Sequence, residues 1–185
     1  DSTMPQSNDF GYGFQECANR NLTTAVATNL SAIGQIWDTT DVPGSIGAGT
    51  RVNSYFFHTD PSDNNSHLYR AVIRFDEAIL GVICDRAKLR TSDPILGAVG
   101  TTYTDYDARG LETGGADQVV WRNAFEIEII KFTTSTSTDD IRVVTVPEPA
   151  TMAAMNMARR IPPTSVCVSS RRWFITSTDG AQWLV

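Results

Sequence analysis

A period of two runs through this chain and limits what it can fold into. Over residues 51–58, Val52, Ser54 and Phe56 alternate with Asn53, Tyr55 and Phe57. Over residues 68–75, Leu68, Ala71, Ile73 and Phe75 are apolar among Arg70 and Arg74. Alternate side chains of a strand face opposite sides, whereas a helix repeats every 3.6 residues, so both runs read as half-buried strands. Between them lies Thr59-Asp60-Pro61-Ser62-Asp63-Asn64-Asn65-Ser66. These residues favour Asx-turns and preset φ for a reversal, so the two runs are expected to form a hairpin. The apolar run 79–84 is too short for a typical helix and fits a strand buried on both faces.

Further strands are expected at 22–30, 33–37, 117–122, 124–132 and 141–146. In the fourth of these, Phe125, Ile127 and Ile129 face one way, and Glu126, Glu128 and Ile130 the other. Residues 1–20 read as irregular, with Phe10, Tyr12 and Phe14 as a short edge strand. Residues 85–89 allow one helical turn, which Ser92-Asp93-Pro94 breaks, and 97–115 reads as a long ordered loop. No i, i+3, i+4, i+7 pattern persists over three turns. The expected fold is all-β, an antiparallel β-sandwich (jelly-roll or Ig-like) of about seven to nine strands with a C-terminal extension.

Charge divides the chain. Residues 1–146 carry 11 basic and 19 acidic residues, a net of −8, whereas residues 147–185 carry a net of +2. Pro147, Pro149, Pro162 and Pro163, half of the eight prolines, fall in the second part. The expected organisation is therefore a β-sandwich domain over 1–146 and a Pro- and Arg-containing tail over 147–185, with short strands at 166–168 and 173–176. The net charge of −6 argues against a nucleic-acid partner. No apolar run approaches the ~20 residues of a membrane span. The first residue is Asp1 rather than Met, as in a chain whose secretory signal has been removed.

The three cysteines, Cys17, Cys84 and Cys167, form no C-x-x-C motif. They leave either three thiols or one bridge and one thiol. In an extracellular protein Cys17–Cys84 is the expected bridge, since both lie in the acidic body; the alternative makes Cys84 a buried small hydrophobe. A 58–67 hairpin would bring His58 and His67 together with Asp60 and Asp63, an oxygen-rich set better suited to Ca²⁺ than to zinc, set against a plain solvated loop. Asp105, Asp107, Glu112 and Asp117 could act as paired glycosidase carboxylates or simply solvate the Gly-rich loop. No nucleophile elbow, P-loop or zincin motif occurs, and no catalytic residue is assigned. Asn21, Asn29 and Asn64 match the N-glycosylation pattern. Trp37, Tyr103, Tyr106 and Trp121 could stack on sugars or fill the core.

Val146-Pro147-Glu148-Pro149-Ala150-Thr151 stands at the composition break. It resembles the Pro-Glu-Pro signature of bacterial PEP-CTERM proteins. The segments Gly49-Thr50-Arg51-Val52-Asn53-Ser54-Tyr55-Phe56-Phe57-His58, Ser92-Asp93-Pro94-Ile95-Leu96-Gly97 and Asp140-Ile141-Arg142-Val143 are similar to segments of secreted members of that family. The resemblance implies export, a place at the cell surface or in a biofilm matrix, and exosortase as a processing partner. The tail departs from the pattern. Met152-Ala153-Ala154-Met155-Asn156-Met157-Ala158 stops at Arg159-Arg160 where the family continues with a membrane helix.

Two functions follow as expectations. The first is a non-enzymatic extracellular structural protein that self-associates, its tail adding as a strand to its own sheet or to a neighbour's and head-to-tail repetition building a fibre. The second is a carbohydrate-binding sandwich for extracellular polysaccharide, Ca²⁺-dependent. Neither requires a cofactor beyond that cation.

Overall fold

The alternating runs become strands that sort into two sheets. In the computed structural model the described residues are 6–38, 42–103, 105, 109–112, 115–134, 137–147, 172–176 and 182–184. In chain order the strands are β1 (Phe10–Asn21), β2 (Val26–Thr28), β3 (Ile36–Trp37), β4 (Gly44–Ile46), β5 (Arg51–Thr59), β6 (His67–Arg74) and β7 (Ile79–Ile83). Helix α1 (Arg86–Leu96) follows, then β8 (Gln118–Asn123), β9 (Glu126–Thr134), β10 (Asp139–Thr145), β11 (Arg172–Thr176) and β12 (Gln182–Leu184). One sheet has the order β11-β1-β5-β10-β7 and the other β12-β6-β9-β8-β3, while β2 and β4 pair separately. Among the described residues, all pairings between these strands are antiparallel except β12 on β6. The fold is the expected all-β sandwich.

Two apolar cores lie on the two faces of the first sheet. Tyr55, Phe57, Ile141 and Val143 from that sheet meet Tyr69, Ile73, Trp121, Ile127 and Phe132 from the other, forming the inter-sheet layer. On the opposite face, Val52, Phe56, Ile83 and Val144 are covered by Leu89 and Leu96 of α1 and by Val26 and Ile46 of the small sheet. β5, β7 and β10 are thus buried on both faces, which explains the near-continuous apolar run at 79–84. The second sheet packs an apolar core on one face only, so β6 keeps the clean alternation.

Expected boundaries shift where the chain bends. β1 is a twelve-residue strand rather than a short edge segment. Its register slips between Gln15 and Cys17 and again before Arg20, with Asn19 at φ 51°. These bulges bend the strand and hide its period from a sequence reading. A similar slip between Tyr69 and Ala71 on β6, opposite Phe132 and Ile129 of β9, puts both of those β9 residues in the core. Phe125 lies before β9 and is 49% exposed. The segment 22–30 contributes only the three residues of β2.

Helix α1 runs for eleven residues through Ser92-Asp93-Pro94 instead of stopping after one turn. Asp85 caps it, its side chain accepting from the Lys88 N–H at 2.8 Å. Pro94 falls in the last turn, where its missing N–H deprives the carbonyl of exposed Arg90 alone of a helical donor, and the Gly97 N–H closes the helix onto Asp93 O at 2.9 Å. Among the described residues no helix is long and apolar enough to cross a membrane.

Candidate functional site

A chain of buried charges fastens α1 to the first sheet. Arg142, on β10, donates from Nε and Nη2 to Glu16 of β1, both at 2.6 Å, and from Nη2 to Asp93 at 3.0 Å. It also donates to Ser92 Oγ and to Leu89 O. Arg109 reaches the same Asp93 at 2.7 and 2.9 Å and Asp140 at 3.3 Å. Both guanidiniums lie over the Phe56 ring, Arg109 at 5.8 Å and Arg142 at 5.4 Å from its centroid. Cation–π contacts and bidentate pairs suit arginine's planar fork. Burial disfavours the Arg142 charge, but Glu16 and Asp93 outweigh it and hold the guanidinium above its ordinary value. Every cation here is matched by a carboxylate, so the network positions α1 and the following loop and leaves no charge for a ligand.

The four residues expected to gather in the hairpin do not converge. His58 is 1% exposed on the α1 side of β5, its Nδ1 2.6 Å from Asp140. Asp60 accepts from Gln6 at 3.0 Å, while Asp63 pairs with His67 at 2.7 Å on the outer loop. Hydrogen bonds from His67 and Asn65 hold the Asp63 carboxyl down at about 2. The expected hairpin does not form: β5 belongs to the first sheet and β6 to the second, so residues 60–66 cross between the sheets instead of reversing within one. His58 shares the face of Phe56, whereas His67 begins a strand of the other sheet.

Two of the loop carboxylates do meet, with a third that the sequence reading missed. Glu112, Asp117 and Asp139 each place a carboxylate oxygen within 4.8 Å of the others. Arg109 fixes the first of them: its backbone bridges to Thr138 and its side chain to Asp140 and Asp93, so Glu112 is carried to the start of β10. Asp117 sits just before β8, accepting from the Glu112 N–H at 3.0 Å and the Thr133 N–H at 2.9 Å. Asp139 opens β10 opposite Thr59. Its side chain is sealed, at 0% residue exposure, and neither carboxylate oxygen has a hydrogen-bond partner. The neighbouring Thr138 Oγ1 is unpartnered as well. Burial, then Asp117, Glu112 and Asp140, pushes the Asp139 carboxyl well above the carboxylate range. Burial and Asp117 push Glu112 up to about 7. One signal in the sequence pointed here: Asp139-Asp140 leads directly into the apolar strand. Asp105 instead pairs with Arg86 and Arg90, and Asp107 lies outside the described residues.

The remaining expectations divide. Cys17 and Cys84 are not bridged: both are buried, Cys17 in the α1-side core and Cys84 between the sheets. Asn29 is fully buried, accepting from the Cys84 N–H at 2.7 Å and donating to Asp85 at 2.5 Å, so its side chain is closed to glycosylation. Asn21 and Asn64 are exposed. Trp37 and Trp121 are core residues, and the Tyr103 hydroxyl is committed to Glu16 at 2.6 Å, which removes three of the four sugar-stacking candidates. Tyr106, Glu148, Pro149, Cys167 and the expected 166–168 strand lie outside the described residues; Pro147 follows the last body strand.

The tail completes the sandwich on one side. β11 pairs antiparallel with β1, from Phe10↔Thr176 to Phe14↔Arg172. β12 pairs in parallel with β6, from Val72↔Gln182 to Arg74↔Leu184. β11 also approaches β6, so the two tail strands close the seam between the sheets. No protein family, curated protein or solved structure matches this chain.

Proposed function

We propose that the protein is a non-catalytic, extracellular structural β-sandwich that self-associates by exchanging its terminal strands. One observation carries the reading: one of the two outer strands of each sheet comes from the tail, β11 on β1 and β12 on β6. Such pairings rest on backbone hydrogen bonds that a second copy's tail can form equally well. Repeated between copies without closure, the contact builds a fibre. The charge division supports the exchange, since the +2 tail seats on a −8 body. The Pro-Glu-Pro motif between body and tail supports a cell-surface or matrix setting. The burial of His58 against Asp140 and the sealed Asp139 favour a structural over a hydrolytic role.

Cross-linking tests it. Tyr12 and Phe174 are register partners. One chain carrying Tyr12→Cys and another carrying Phe174→Cys are mixed, unfolded, refolded together and oxidised. A covalent heterodimer, with light scattering showing mass that grows with concentration, is expected. A monomer at every concentration, cross-linked only when both substitutions share one chain, overturns the reading.

A further inference from the structure

We propose that Glu112, Asp117 and Asp139 bind one hard divalent cation, Ca²⁺, which clips the two sheets together at one end of the sandwich. Two independent observations support the site. Three carboxylates converge within 4.8 Å although Asp139 comes from a different part of the chain than Glu112 and Asp117. Separately, Asp139 is fully buried and both its oxygens lack any donor. A carboxylate in that position must hold a proton or face a cation, because an unpaired buried charge is very costly. The charged groups acting on Asp139 are other carboxylates, Asp117, Glu112 and Asp140. Arg109, which pairs with the adjacent Asp140, is spent on that residue and on Asp93.

Donor chemistry selects the ion. The group contains oxygen ligands only, with no histidine or cysteine, which disfavours zinc and softer metals. Ca²⁺ accepts ligands from scattered elements in flexible geometry and completes its shell with hydroxyls, carbonyls and water, whereas Mg²⁺ demands a near-ideal octahedron. Exposed Glu112 provides access for the ion and its water. Asp139 belongs to the first sheet and Asp117 stands at the start of β8 in the second, so occupancy links the layers.

Titration calorimetry and thermal melting of the full chain, stripped with chelator, test this with CaCl₂ alone. One Ca²⁺ per chain and a melting temperature that rises with Ca²⁺ are expected. Asp117→Asn and Asp139→Asn should each weaken binding at least about tenfold, as loss of a charged ligand from a Ca²⁺ site does. Asp139→Asn relieves repulsion among the carboxylates, so it should fold without Ca²⁺ and melt at or above the stripped wild type. Asp63→Asn, in the separate His67 loop, should keep the full response. No heat and no shift in the wild type at millimolar Ca²⁺ overturns the site, as does an undiminished response in both cluster variants. A stronger response to Mg²⁺ than to Ca²⁺ overturns the choice of ion.

Discussion

Arg142 and Glu16, 126 positions apart in sequence, form a two-pronged ion pair with neither side chain exposed to solvent. The pair joins β10 to β1 across β5, which lies between them in the sheet. Removing one partner from such a pair leaves an uncompensated buried charge, typically worth about 3–5 kcal/mol. Arg142→Met is therefore expected to destabilise the protein by about that amount, measured by urea unfolding. The double variant Arg142→Met with Glu16→Leu should recover part of the loss, since no orphaned charge remains. A double variant less stable than either single one would contradict this account.

Asn29 binds the start of α1 to the small sheet's connection. Its side chain satisfies the Cys84 and Asp85 N–H groups at 2.7 and 3.2 Å. Asn29→Ala leaves the buried Cys84 N–H without that acceptor and is expected to cost about 1–3 kcal/mol. Thermal unfolding measures it; an unchanged midpoint would show that the amide finds another acceptor.

Gly110 and Gly47 make a matched pair of tests. Gly110 has φ +90°, and a Cβ there would stand 2.7 Å from Cys84 O and 2.8 Å from Arg86 N. Gly110→Ala should destabilise by about 1–3 kcal/mol through backbone strain, and displace the loop that delivers Glu112. Around Gly47 nothing lies within 4 Å. Gly47→Ala should leave the melting temperature unchanged or slightly raised, by restricting the unfolded chain. Equal effects at the two sites would refute the steric argument.

Acid should loosen α1 through its cap. Burial pushes the Asp85 carboxyl up, but hydrogen bonds from Lys88 and Asn29 outweigh it and hold the group below its ordinary 3.8. A carboxyl whose folded value is depressed binds protons more readily when unfolded. Its contribution is thus present above pH 3.8 and is lost as pH falls through the lower folded value. The stability advantage of the wild type over Asp85→Ala should be constant at neutral pH and shrink below that point. Unfolding of both proteins across the acid range reads it; an advantage that survives to the lowest pH would overturn the assignment.

Much of the architecture was legible in the residues. Alternation over 51–58 and 68–75, the turn-rich segment between them and the apolar run at 79–84 specify strands, because side-chain direction in a strand depends only on local backbone geometry. The tail beyond the charge and proline break near Pro147 contributes β11 and β12 to the two sheets. Tertiary structure decided the rest. It carried α1 through Pro94, with Asp93 held by two arginines. It placed Arg142 in the core on a strand that reads as apolar, kept His58 and His67 apart, and joined Asp139 to Glu112 and Asp117. Burial and Coulomb interactions act between groups that packing brings together, whatever their distance along the chain, so no local pattern could specify these contacts.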